Sequence, residues 1–237
     1  MTAGYIFDYG GTLDTGGQHW GQVLWHAYER HRVPVTEARF REAYIYAERT
    51  LGRNPIICPD FTFRQTLAAK LRLQMEYLGE RWRVEGGGRY VEAIVEDLYE
   101  QTKAETARSR EVVQQLKAER VPMVLVSNFY GNIHVVLHEF GFDGLFREVI
   151  ESAVVGIRKP DPRIFLLGVE ALGLKAEEVT VVGDSLDKDI IPARQAGCQT
   201  VWLKGEGWTD DDATASEADR VIRSLDELLV KQEIKTI

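Results

Sequence analysis

Cysteine is scarce. Cys58 and Cys198 are the only two in 237 residues, too few and too far apart for a disulfide framework or a zinc-binding spacing. A reducing cytoplasm with both thiols free is the expectation. Long apolar runs are missing as well: no stretch approaches the ~18–20 residues of a membrane span. Met1 to Gly4 lead directly into a short apolar run, so no signal peptide is expected. Positive charge is in deficit, with 29 Lys and Arg against 37 Asp and Glu for a net −8. That balance argues against nucleic acid or an anionic membrane surface as the main partner. There is no internal repeat and no low-complexity tract, and Asp210-Asp211-Asp212 reads as a solvated loop. What is plentiful is core material: 44% of the residues are hydrophobic, enough for one large domain or two modest ones.

Two textures divide the chain. From Val121 onward, short apolar strands alternate with helices. Met123–Val126, Glu148–Ile150, Val179–Val182 and Thr200–Leu203 read as strands. Helices are expected over Asn132–Phe140, from an Asp161 cap with Pro162 in the first turn to Leu172, and over Asp189–Ala196. Strands rich in Val and Leu without polar alternation are buried on both faces, which means a parallel sheet covered by helices. Residues 15–105 show no convincing strand. Helical patterns begin at Trp20, run from a Thr36 cap to about Thr50, and cover Phe63–Tyr77 and Arg89–Tyr99. This is far more than the ~10–12 residues a crossover between parallel strands needs. The expected architecture is therefore an α/β, doubly wound, mostly parallel sheet core (residues 1–15 and 106–237) with an inserted all-α helical cap (residues 16–105). Gly16-Gly17 serve as one hinge, and a second lies near Thr102–Ser109.

Ligands of such sheets bind beyond the carboxyl ends of the strands. Asp8, Ser127 and Asp184 all fall at that edge. Asp8 ends the run Tyr5-Ile6-Phe7 and enters a turn built on Gly10 and Gly11, where backbone N–H groups can approach an anion closely. Val179-Thr180-Val181-Val182-Gly183-Asp184 repeats the design. Two carboxylates at two strand tips, with Lys159 between them in sequence, point to a metal and phosphate site.

Four segments together carry a resemblance. Asp8-Tyr9-Gly10-Gly11-Thr12-Leu13-Asp14, Val126-Ser127-Asn128-Phe129, Lys159-Pro160-Asp161-Pro162, and Gly183-Asp184-Ser185 with Asp189 are similar, in order, to the four motifs of the haloacid dehalogenase-like hydrolase superfamily. The likeness extends from Tyr5 to about Leu229 and includes Ala218–Ile222, a late strand in that family. The resemblance implies that Asp8 is a nucleophile forming an aspartyl-phosphate. Lys159 would neutralise charge on the attacking and transferred groups. Gly11, Thr12, Ser127 and Asn128 would hold phosphoryl oxygens. A hard, oxygen-loving Mg²⁺ would be held by Asp8, the Gly10 carbonyl, Asp184 and, directly or through water, Asp189. The substrate class is a small phosphorylated metabolite.

One position departs from that pattern. The phosphatases of the family carry a second aspartate where this chain has Gly10, and glycine supplies neither a proton to the leaving oxygen nor a base for water. Loss of such a group costs roughly 10²–10⁴-fold in rate. Substitutes near in sequence are His19 and Asp14, and acyl phosphates would need no acid at all. The alternatives are a non-catalytic phosphate- and metal-binding protein and a phosphonate-cleaving enzyme using Lys70 or Lys103. A metal-free dehalogenase ranks below both, because Asp184 and Asp189 are retained. Arg49, Arg53 and Arg64 are the cap residues considered for a second anionic group.

Overall fold

A computed structural model describes residues 2–208 and 217–230. Asp210–Asp212 lie outside the described residues. In chain order the elements are β1 (Gly4–Phe7), α1 (Trp20–Arg30), α2 (Glu37–Arg53), α3 (Phe63–Trp82), α4 (Gly87–Ala118), β2 (Met123–Ser127), α5 (Ile133–Glu139), β3 (Glu148–Glu151), α6 (Ser152–Val155), α7 (Arg163–Leu172), β4 (Val179–Gly183), α8 (Ile191–Gln195), β5 (Gln199–Leu203) and β6 (Arg220–Ile222). A π turn over Leu186–Ile190 leads into α8.

The six strands form one parallel sheet in the order β3-β2-β1-β4-β5-β6. The chain starts in the middle, builds outward through β2 and β3, then returns to the other side of β1. That reversal creates a crevice at the carboxyl ends of β1, β2 and β4. Strand alternation sends Ile6, Val124, Val126 and Val181 to one face, where they pack with Ile164, Phe165 and Val169 of α7. Phe7, Leu125 and Val182 face the other way, into a second cluster with Val112, Val113 and Leu116 of α4 and Val136 of α5. Burial on both faces is why these strands read as continuous apolar runs.

The four helices after β1 carry their own signals. Thr36 accepts from the Arg39 N–H, and Thr62 with Gln65 forms a reciprocal capping box ahead of α3. The second apolar cluster continues without a break from the sheet into this helical layer, through Leu24, Phe40, Leu71 and Leu78. The hinge expected near Thr102–Ser109 is corrected by α4, which runs unbroken through it for 32 residues. Its buried stripe is apolar at Val91, Ile94, Val95 and Leu98, then small and polar at Thr102, Thr106 and Ser109, then apolar again at Val112. The helix was expected to stop at Tyr99 because the stripe changes character there; its backbone period does not change.

Two boundaries also shift. The α7 helix begins at Arg163 rather than Pro162, although the Asp161 carboxylate accepts from the Arg163 N–H at 3.0 Å, as a cap does. Asp189 does not open a helix. It lies inside the π turn, whose first N–H groups are capped by Ser185 accepting from the Lys188 N–H.

Candidate active site

The crevice collects its acids from three places. Asp8 follows β1, and its N–H donates to the Val182 carbonyl of β4 at 3.0 Å, fixing the strand tip. Asp184 follows β4, and Asp189 projects from the π turn. One oxygen from each of these three carboxylates lies within 4.8 Å of the others. Lys159 reaches between them, its Nζ at 2.6 Å from Asp8 Oδ1 and 2.7 Å from Asp189 Oδ1. The Thr12 hydroxyl sits 3.1 Å from Asp8 Oδ2 and 3.2 Å from Asp184 Oδ1, able to donate to one at a time.

Glycines allow this crowding. A Cβ on Gly11, whose φ is +101°, would fall 2.4 Å from the Asp184 carboxyl, and one on Gly183 would fall 2.4 Å from Asp189 Cβ. Both positions must lack a side chain for the acids to close in. Gly10 is different: a Cβ there would meet nothing nearer than Trp20 Cδ1 at 4.0 Å. Packing does not demand glycine at the position where an acid is missing.

Charge in the crevice does not balance. Burial raises the Asp8 pKa to about 6, against the pull of Lys159. Lys159 is 4% exposed; burial opposes its charge, but Asp189 and Asp8 outweigh that cost and keep it protonated. Asp184 is pushed well above the ordinary carboxylate range by burial and by repulsion from Asp8, Asp189 and Asp14. One lysine therefore faces three converging carboxylates, and Asp184 has no cationic side chain bonded to it among the described residues. An all-oxygen donor set with surplus negative charge fits a small, hard divalent cation.

The remaining expected residues fall close by, with different bonding from that foreseen. The Gly11 N–H donates to Asp14 Oδ1 at 2.6 Å and so turns toward that buried carboxylate. The Asn128 amide clamps the backbone of Lys159 from both sides, its Oδ1 accepting from the Lys159 N–H at 3.0 Å and its Nδ2 donating to the Lys159 carbonyl at 3.1 Å. Asn128 thus positions the lysine. Ser127 is 1% exposed at the end of β2. Asp189 Oδ2 also accepts from the Ser185 N–H at 3.1 Å.

Each nearby substitute for an acid is already bonded through at least one atom. Both oxygens of Asp14 are engaged, with the Gly11 N–H and with Trp20 Nε1 at 2.9 Å. Burial pushes its pKa to about 7. His19 Nδ1 accepts from the Gly21 N–H at 3.0 Å, and burial lowers its pKa to about 4, so the ring is neutral at pH 7. Arg49 and Arg53 line a separate surface groove beside Tyr46 and Tyr77. Arg64 pairs with Glu96 and stacks on Tyr99, and Lys103 lies 3.9 Å from Glu100. None of these four lines the crevice.

Lys70 of α3, considered in the sequence only for imine formation, lines the same cavity together with two residues that sequence reasoning missed, Glu48 of α2 and Tyr130 after β2. Lys70 Nζ lies 2.7 Å from Glu48 Oε1, and the Tyr130 hydroxyl donates to Glu48 Oε2 at 3.1 Å. Their positions 48, 70 and 130 carry no spacing that links them, and only the folded arrangement brings them together.

Comparisons with known proteins agree with the geometry. The family model for haloacid dehalogenase-like hydrolases matches residues 2–197. A glyceraldehyde 3-phosphate phosphatase from Methanopyrus kandleri is 41% identical over 96 residues, covering 38% of this chain and 41% of that protein. A phosphoserine phosphatase from Thermus thermophilus is 43% identical over 76 residues, covering 32% of this chain and 30% of that protein. The chain thus matches well under half the length of these two curated relatives. The crystal structure of a dehalogenase with an intermediate complex superposes with a TM-score of 0.64 at 19% identity, covering 96% of this chain and 95% of that one, a likeness of fold. With the family model spanning strands β1 to β4, the helical segment and all four acid- and lysine-bearing motifs, the chain belongs to the haloacid dehalogenase-like hydrolases.

Proposed function

We propose that this chain hydrolyses a small phosphorylated metabolite through a phosphoenzyme on Asp8, with Mg²⁺ as cofactor and residues 16–105 acting as a cap over the site. The observation that carries this reading is the convergence of Asp8, Asp184 and Asp189 around Lys159 at the tips of β1 and β4. Asp8, the Gly10 carbonyl, Asp184 and Asp189 would hold Mg²⁺, which when bound supplies charge neutralisation between the carboxylate and the phosphate oxygens. An Asp8 oxygen forms a bond to phosphorus while the ester oxygen leaves with its electron pair. That oxygen takes its proton from water, since Gly10 offers none. Water then attacks the aspartyl-phosphate, releasing phosphate and restoring the carboxylate. Lys159 stays charged and steadies negative charge at the reacting centre. Asn128 holds the lysine's backbone in place.

The missing acid makes leaving-group quality decisive. Acetyl phosphate, whose acetate departs without a proton, should turn over faster than alkyl monoesters. The test is hydrolysis of p-nitrophenyl phosphate and acetyl phosphate with and without Mg²⁺, by the wild type and Asp8→Asn. Hydrolysis that needs both Mg²⁺ and Asp8 supports the reading. Binding of Mg²⁺ and phosphate with no hydrolysis of any ester would assign the non-catalytic alternative. Phosphonate cleavage through an imine is disfavoured, because an imine-forming lysine must lose its proton and Glu48 holds the Lys70 pKa well above its ordinary value despite burial.

A further inference from the structure

The cavity has two walls that treat charge differently. On the sheet side, carboxylates outnumber lysine. On the helical side, Glu48 and Lys70 answer each other at 2.7 Å, with side chains 28% and 12% exposed, and both line the cavity that Asp8 also lines. Tyr130 completes the group, its hydroxyl bonded to Glu48 and its ring 5.6 Å from the Lys70 ammonium. The pair stays ionised: Lys70 outweighs burial and lowers the Glu48 pKa, and Glu48 does the converse for Lys70.

A charge already answered is a poor receptor for a second charge. A substrate carboxylate brought to this wall meets the Glu48 anion, while the Lys70 charge is already matched. Like charges at close range oppose binding unless a further cation intervenes. A hydroxyl meets no such conflict. It donates to an unused lone pair of Glu48 and accepts a remaining N–H of Lys70, since a carboxylate offers about four acceptor sites and an ammonium three donors. The exposed cations Lys188 and Arg158 also line the cavity, Lys188 near enough to add to the pull that lowers the Glu48 pKa. They favour the phosphoryl dianion that every phosphate ester carries.

We propose that the Glu48–Lys70–Tyr130 wall selects an uncharged, hydroxyl-bearing organic group and rejects a carboxylate, with Glu48 as the residue that sets the choice. This deepens the hydrolytic reading above and rests on it. The substrate class is a small polyol or sugar phosphate; phosphorylated carboxylic acids are excluded.

The experiment compares kcat/KM for sn-glycerol 3-phosphate and 2-phosphoglycolate with Mg²⁺, normalised to p-nitrophenyl phosphate, in the wild type, Glu48→Gln and Lys70→Met. The wild type should favour glycerol phosphate by ~10-fold or more. Glu48→Gln leaves Lys70 unanswered and should shift the ratio toward phosphoglycolate by about 10-fold; Lys70→Met leaves Glu48 unanswered and should shift it the other way. Opposite shifts cannot arise from general damage to the fold. A wild-type preference for phosphoglycolate, or shifts in the same direction, would overturn the inference. Where one variant does not fold, the direction of the other decides. Should the wild type hydrolyse none of the three esters, the hydrolytic reading has failed and the inference is read from calorimetric affinities of the same two ligands. The same ordering across the three proteins then supports it, and equal affinities overturn it.

Discussion

Two lysines line one cavity, and their neighbourhoods teach opposite lessons. Lys159 meets Asp8 and Asp189, with Asp184 close behind, so the sheet side of the cavity carries unbalanced negative charge. Lys70 meets Glu48 alone and is balanced. Buried ions cost several kcal/mol each unless their partners answer them. The balanced pair is complete as it stands, whereas burial and then crowding raise the pKa of Asp8 and Asp184 and leave negative charge for a cation to answer. One wall is left with charge to answer; the other is not.

The largest effect should separate the walls outright. Asp8→Asn should lower kcat by at least ~10⁴-fold, because it removes the nucleophile itself. Lys159→Met should cost about 10²–10³-fold in kcat by removing charge stabilisation at the reacting centre. Lys70→Met should act mainly on KM. Steady-state kinetics on the three variants checks the ordering, and comparable losses of kcat for the two lysines would erase the distinction.

Gly10→Asp sharpens the comparison from the other direction. The open space beside Gly10 admits a side chain. The substitution should raise turnover of alkyl phosphates by about 10²–10³-fold, the contribution of a general acid–base group. Acetyl phosphate should gain little at the first step. A uniform gain on both substrates would show that the aspartate acts otherwise.

The smallest effect is in stability against pH. Asp8 and Asp14 have folded-state pKa values of about 6 and about 7, above the ordinary aspartate value of 3.8. The native state therefore holds more protons than the unfolded chain in this interval, and stability should fall as pH rises from about 4 to about 7. The Glu48 pKa is lowered instead, so its contribution is present above the usual glutamate range and is lost on acidification below it. Saturating Mg²⁺ should restore ~1–3 kcal/mol, more at pH 8 than at pH 5.5. Thermal melts with and without Mg²⁺ measure both trends, and a Mg²⁺ effect that survives Asp184→Asn would remove Asp184 from the metal site.

Much of this was legible in the chain before folding. The strands showed because burial on both faces leaves apolar runs, and the four motifs showed because each sits where a strand ends or a helix starts. The continuity of α4 was hidden by Thr102, Thr106 and Ser109, buried positions occupied by small polar residues that interrupt the apolar period. The Asn128 clamp was hidden because a side-chain amide bonding the backbone of Lys159 leaves no trace in spacing. The Glu48–Lys70–Tyr130 wall was hidden for a related reason. Its members lie on three elements, and a charged residue on a helix looks the same in sequence whether it meets solvent or a cavity.

The unbroken α4 carries a mechanical consequence. At 32 residues it is about 48 Å long, with its first half packed against α3 and its second half beneath the sheet. No joint lies within it, so the substrate-facing layer cannot swing away there without breaking several intrahelical bonds. The other connection between the layers, Gly16-Gly17, is tied down as well: the Gly17 N–H donates to the Gly11 carbonyl at 2.7 Å. Parting the two layers along this helix would therefore require Val112, Val113 and Leu116 to leave their packing beneath the sheet.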